Sequence, residues 1–365
     1  MAAEPTRVVS PSIEELRPYQ GGKPIEELAR ERGLSDIVKL ASNENPLGPS
    51  PRAVEAARAA LGGVARYPDG SAHRLRSAIA YVHRGGLDEV IHGNGSNEII
   101  ELVVRTFMTP EHHIVFGNPA FSMYPVVAMA HNVSFTRVPT NGDLVHDLDA
   151  LAAAVQPNTR VLILDNPNNP TGTYVNQDAL AAFLGRVPEH VIVVLDEAYF
   201  EYATAADYPD GLRLRDRHPN VLVLRTFSKA YGLAGFRVGY GIGPARLIGY
   251  LHRLRAPFNV SVPSQEAAIA ALADVEHLGR SVELNTRERE RLAAGLTSLA
   301  ERVFPSQANF ILADFARPSA ALYDKLLDHG VIVRPIPGLD THLRITVGTE
   351  RENDRFLTAL AEVLR

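Results

Sequence analysis

The sequence predicts an α/β fold: a mostly parallel central sheet in a large domain, with a smaller α+β domain attached. Three observations predict it. Short runs rich in Val, Ile and Leu alternate with amphipathic stretches through the middle of the chain. Several of these runs are apolar at almost every position, as strands covered on both faces must be. Beyond about residue 270 the alternation gives way to charged helical sequence and then to short strands.

In chain order, strands are expected at His113–Gly117, Val133–Val138, Val161–Asp165, Val191–Asp196, Val221–Arg225 and Arg237–Gly241. Helices are expected at Ser96–Phe107, Asp178–Leu184 and Pro244–Arg255, where apolar residues recur at helical spacing. The C-terminal part predicts one long charged helix from about Ala267 to Ala300, then short strands near Asn309–Ala313, Val331–Pro335 and Leu343–Val347, and a last helix over Glu350–Leu364. This layout gives a large domain at residues 40–269 and a small domain made of 1–39 plus 270–365.

The composition narrows the partners. A chain of 365 residues is long enough for two cores, and 45% apolar with 22% charged residues is ordinary for a globular protein. The net charge of −5, with no polybasic run, argues against a nucleic-acid partner. The absence of cysteine excludes disulfides, thiolate metal sites, iron–sulfur clusters and cysteine nucleophiles, and it fits a reducing compartment. No metal site is expected. Met1 to Glu15 holds acids and prolines but no apolar signal core, and runs such as Val191–Leu195 are too short to cross a bilayer. A cytoplasmic protein with no membrane partner is the expectation.

Four clusters carry chemistry. Asn166-Pro167-Asn168-Asn169-Pro170-Thr171-Gly172 is a turn straight after an apolar strand, the place where parallel sheets bind ligands. Asp196-Glu197-Ala198-Tyr199 closes the next strand; a buried acid there needs a cation, while a solvent-edge acid needs none. Thr226-Phe227-Ser228-Lys229, with Arg237 eight residues on, gathers hydroxyls, an amine and a guanidinium suited to phosphate. A desolvated lysine beside other cations loses its proton and becomes a nucleophile toward carbonyls, whereas a lone lysine is ordinarily a solvated surface charge. Gly93-Asn94-Gly95-Ser96-Asn97-Glu98 leads into a helix whose first amides can meet an anion, though such a turn alone is a weak signal. Together they supply what a pyridoxal-phosphate site requires.

With these residues in view, the chain resembles the fold-type I, class-II pyridoxal-phosphate-dependent aminotransferases, and within them the histidinol-phosphate group. The likeness runs from Leu40 to Leu364. It rests on Leu40-Ala41-Ser42-Asn43-Glu44-Asn45-Pro46-Leu47-Gly48, Arg66-Tyr67-Pro68-Asp69-Gly70, the turn at 166–172, the run at 196–199, the stretch from Phe227 to Tyr240, and Leu343-Arg344-Ile345-Thr346-Val347-Gly348. The resemblance implies that pyridoxal 5'-phosphate is bound as a Schiff base on Lys229. It implies that Asp196 partners the ring nitrogen, that Asn169 and Tyr199 bond the phenolic oxygen, and that Phe121 stacks on the ring. Ser96, Asn97, Thr226, Ser228 and Arg237 would hold the phosphate. Tyr67 would reach the phosphate of the other subunit in a homodimer. Tyr19, Asn45, Arg334 and Arg344 would bind substrate, with Arg344 taking the carboxylate of a 2-oxo acid. The core motifs leave three amino-acid chemistries open: amino transfer from L-histidinol phosphate to 2-oxoglutarate, amino transfer from phenylalanine or tyrosine, and threonine-phosphate decarboxylation. A non-catalytic regulator on the same fold is disfavoured by the complete Lys, Asp, Asn and Tyr set.

Overall fold

The computed structural model describes residues 9–16 and 21–365. Its strands are β1 (Val38–Lys39), β2 (Val90–Gly93), β3 (His113–Asn118), β4 (Ser134–Pro139), β5 (Thr159–Asp165), β6 (Ile192–Asp196), β7 (Val221–Thr226) and β8 (Gly239–Ile242). They continue with β9 (Arg302–Val303), β10 (Phe310–Asp314), β11 (Val331–Ile332), β12 (Arg334–Ile336) and β13 (Leu339–Thr346). Seven form one sheet in the order β2-β8-β7-β6-β5-β3-β4. The run from β7 to β4 is parallel throughout, and β8 alone turns against both its neighbours.

The near-continuous apolar strands are explained by helices on both faces. Val161 and Ile163 of β5 and Val194 of β6 pack against Ile99, Ile100 and Val103 of the helix Ser96–Phe107. Leu162, Leu164 and Val193 turn the other way, onto Leu180, Phe183 and Leu184 of the helix Gln177–Leu184. Each such side chain contributes about 1.5–3 kcal/mol by leaving water. The parallel strands all end at one edge of the sheet. The turns that follow β5, β6 and β7 therefore lie side by side, and these are the three strand-end motifs of the sequence.

A four-stranded antiparallel sheet, β12-β13-β10-β9, lies in the C-terminal part. Its core joins Leu292, Ile311, Leu343, Ile345, Phe356 and Leu360 to Val38 and Leu40. The pairing of β1 with β11 is parallel and ties residues 38–39 to this region.

The structure corrects several elements. The expected single helix from Ala267 to Ala300 is two, Val262–Ala273 and Val275–Leu296, broken at Asp274. The Asp274 carboxylate accepts the backbone N–H of His277 at 3.2 Å and the hydroxyl of Ser50 at 2.5 Å, so it caps the second helix instead of continuing the first. The expected strand at Val331–Pro335 is split between two sheets. The strand expected from Arg237 starts at Gly239, because Arg237 itself is left-handed at φ 52°. The helices Pro51–Ala60, His73–His83 and Ser319–Asp328 and the strand β2 were not foreseen.

Candidate active site

One cavity opens at the carboxyl ends of β5, β6 and β7. Its lining includes Ser96, Asn97, Phe121, Asn169, Asp196, Tyr199, Thr226, Ser228, Lys229, Arg237 and Arg344. Sequence positions from 96 to 344 thus converge because parallel strands deliver their following loops to one edge.

One end of the cavity is built for an anion. The helix Ser96–Phe107 starts at Gly95 with no side chain capping its amides, so the positive end of the helix dipole is open to the cavity. Gly95 is left-handed at φ 79°, and a Cβ there would lie 2.7 Å from the Arg237 guanidinium. The glycine lets that cation close on the helix start. Arg237 Nη1 also donates toward Ser228 Oγ at 3.4 Å, and the Ser228 N–H donates to Thr226 Oγ1 at 3.1 Å. Hydroxyls, helix amides and a guanidinium around one space form a phosphate cradle.

The floor is acidic. Asp196 ends β6 and is buried, and the Tyr124 hydroxyl donates to its Oδ2 at 2.9 Å. Its Oδ1 is buried with no hydrogen bond made to it among the described residues. Burial, followed by the neighbouring Asp165, pushes its carboxyl up to about 7. An acceptor left bare in a cavity fits a cationic N–H donor such as a protonated ring nitrogen.

Lys229 lies across from it. Its Nζ sits 5.5 Å from the centre of the Tyr199 ring and donates to the Ser42 carbonyl at a long 3.4 Å. Burial and then the Arg344 charge bring its amine down to about 8. It has no carboxylate partner at salt-bridge distance among the described residues, so the amine is held loosely and gives up its proton more readily than an ordinary lysine. Tyr199 accepts from the Asn43 amide at 2.9 Å, and burial pushes its phenol up to about 12. The phenol therefore keeps its proton and can donate it into the cavity. Arg344 donates to Asn169 Oδ1 at 2.5 Å and to the Ala41 carbonyl at 2.8 Å, with its guanidinium over the Phe310 ring.

Three residues singled out in the sequence, all among the described residues, do not line this cavity, and a fourth is not described. The Asn45 amide donates to the Ala230 carbonyl and to Ser281 Oγ, both at 2.9 Å, which braces the loop that carries Lys229. Arg334 donates to the Gly21 carbonyl at 2.9 Å. Tyr67 is 81% exposed and stacks on Phe258 with ring centres 4.7 Å apart. Tyr19 lies outside the described residues. Conversely, sequence reasoning missed Tyr124, Asn43 and Asp165. Tyr124 stands three residues beyond Phe121, a spacing that could have pointed to it. Asn43 sat unassigned within a quoted motif. Asp165 closes its strand in register with Asp196.

The family model for aminotransferase class I and II matches residues 35–360. Histidinol-phosphate aminotransferase 2 of Pseudomonas fluorescens is 49% identical over 361 residues, spanning 98% of this chain and 97% of the relative. Histidinol-phosphate aminotransferase of an Anaeromyxobacter species is 48% identical over 98% of this chain and 99% of its own. A crystal structure of histidinol-phosphate aminotransferase from Sinorhizobium meliloti in complex with pyridoxal-5'-phosphate superposes with TM-score 0.90 at 30% identity, covering 99% of this chain and 98% of that one.

Proposed function

As the chain belongs to the class I and II aminotransferases, we propose that it transfers the amino group between L-histidinol phosphate and 2-oxoglutarate, using pyridoxal 5'-phosphate, in L-histidine biosynthesis. The observation that carries this is the full-length identity to histidinol-phosphate aminotransferases, in a chain whose cavity keeps an amine, a bare buried carboxylate and an anion cradle together. No helix among the described residues is long and apolar enough to cross a membrane, and we place the protein in the cytoplasm.

When bound, the cofactor supplies an electron-withdrawing ring that stabilises negative charge at the substrate Cα. The chain supplies the rest. Lys229 would hold the cofactor, and its free amine would take and return the proton at the substrate Cα. An ordinary lysine, at about 10.4, would hold its proton too tightly near neutral pH; burial and the Arg344 charge ease it. Asp196 holds a proton on the ring nitrogen through its bare Oδ1. Tyr199 and Asn169 bond the ring oxygen, and Phe121 covers the ring face. Ser96, Asn97, Thr226, Ser228 and Arg237 fix the phosphate, so that the reacting atoms move against a fixed frame.

Arg344 receives the carboxylate of the 2-oxo acid, exchanging its present bond to Asn169 for a two-point contact. Tyr19, Asn45 and Arg334 belong to the substrate side, Asn45 through the loop it braces. Tyr67 serves the partner subunit's phosphate site in a homodimer; its exposure on an aromatic pair supports a role outside its own subunit. We divide the chain into a large domain, 40–269, and a small domain, 1–39 plus 270–365; the separate apolar core that joins Val38 to the C-terminal strands supports the division, with Leu40 at the boundary packing into that same core.

The test is a comparison of kcat/KM for L-histidinol phosphate and L-phenylalanine, each with 2-oxoglutarate. A clear preference for histidinol phosphate is expected. A preference for phenylalanine contradicts the substrate, and release of carbon dioxide contradicts the reaction type. Lys229→Ala should abolish turnover, and normal turnover in that variant would remove the lysine from its role.

A further inference from the structure

A second carboxylate stands beside Asp196, and no step above uses it. Asp165 ends β5 as Asp196 ends β6, and the two are paired in register on neighbouring parallel strands. Both are buried, at 3% and 4% exposure, and both line the cavity. Asp165 is fixed at both oxygens. Oδ2 accepts the backbone N–H of Asn169 at 3.0 Å, and Oδ1 lies 3.0 Å from His146 Nε2. His146 is itself buried, with Nε2 also 2.8 Å from the Asn168 amide and Nδ1 without a hydrogen-bond partner. The imidazole fills the space left by Gly117 of β3, where a Cβ would come within 2.3 Å of the ring. Three neighbouring strands thus combine to seat one acid beside another.

We propose that Asp165, seated beside Asp196 on the neighbouring strand, is a positioning residue for it: its charge sets the pH range in which the site receives a cationic ring nitrogen. The inference rests on the reading of Asp196 given above. A negative charge on Asp165 raises the proton affinity of Asp196. The other groups facing Asp196 are accounted for. Tyr124 donates to it from the helix Met123–Ala130. Glu197 follows it directly, just beyond β6, but is paired with Arg225. Tyr199 and Lys229 face it across the cavity. Burial is the largest cause of its raised proton affinity, and Asp165 is the largest charged one. Through Asn169, the same carboxylate also steadies the residue that Arg344 holds.

The experiment is calorimetric titration of cofactor-free protein with pyridoxal 5'-phosphate, from about pH 5.5 to about pH 8.5, in buffers of differing ionisation enthalpy, which counts protons exchanged on binding. The Asp196 step is the one missing from Asp196→Asn. Asp165→Asn keeps an acceptor for the Asn169 N–H but loses the charge. It should move the Asp196 step to lower pH by about one unit, while Asp165→Glu stays near wild type. A merely structural Asp165 would change affinity and leave the step where it is. An unmoved step in a folded Asp165→Asn that binds the cofactor overturns the inference. A wild-type protein with no Asp196-dependent step overturns the reading of Asp196 and the inference with it.

Discussion

At the scale of single residues, the site keeps its groups in states that cost stability. Asp196 holds its proton more tightly folded than unfolded, with its carboxyl pushed up to about 7 by burial and then by Asp165. The sign follows from that. Below about pH 4 the carboxyl is protonated in both states and carries no penalty; above about pH 7 it is ionised in both, and the folded protein bears the full cost. Cofactor-free Asp196→Asn should therefore be more stable than wild type at about pH 8, by roughly 1–4 kcal/mol, with the gap closing toward about pH 4. Thermal unfolding across pH checks this, and a variant less stable at the alkaline end would contradict it. Lys229, Asp196, Asn169 and Tyr199 were legible in the sequence because each stands in a short motif at a strand end. Tyr124, Asn43 and Asp165 were not, because their importance lies in partners 72, 156 and 31 positions away: Tyr124 meets Asp196, Asn43 meets Tyr199, and Asp165 is in register with Asp196.

At the scale of elements, the site depends on strand ends being held level. Glu197 is buried directly after Asp196 and is held by Arg225 of β7 through bonds of 2.8 and 3.0 Å, with the guanidinium stacked 3.4 Å over Phe200. Removing one partner of such a pair strands a charge in the interior. Arg225→Met should cost about 3–5 kcal/mol in urea unfolding; a loss too small to measure would show that Glu197 simply takes up a proton. Asp274 is the second case. Asp274→Ala removes the cap of the helix Val275–Leu296 and the partner of Ser50, and about 0.5–2 kcal/mol should go with it. The sequence read as one helix there because periodicity continues across the break. Only the competition of the Asp274 carboxylate for backbone amides divides it, and propensity summed over a long window does not see a single cap. The central strands, by contrast, were readable to within about two residues, since burial on both faces leaves a continuous apolar run.

At the scale of the whole molecule, one chain brings eleven of the fifteen residues singled out in the sequence to one cavity. Tyr67 is the informative exception, exposed and stacked on Phe258. If it completes the partner's site, mixing two impaired proteins restores activity. Heterodimers of Lys229→Ala with Tyr67→Ala hold one intact site each, so unfolding and refolding an equal mixture should recover about a quarter of wild-type activity. No recovery beyond the sum of the separate variants would place Tyr67 outside the site. This arrangement is invisible to periodicity and composition, which describe a single chain folding on itself. It entered the sequence reading only through resemblance.

If Lys229 and Asp196 work in one cavity to move an amino group from histidinol phosphate, each site converts one donor molecule without an acceptor. The most direct test is the half-reaction. Cofactor-loaded enzyme is mixed with L-histidinol phosphate in the absence of any 2-oxo acid, and the cofactor spectrum and the oxo product are followed together. One equivalent of oxo product per Lys229, a single spectral conversion, and reversal when 2-oxoglutarate is added are expected. The assignment is contradicted if histidinol phosphate leaves the spectrum unchanged while L-phenylalanine converts it, or if Lys229→Ala completes the conversion at the wild-type rate.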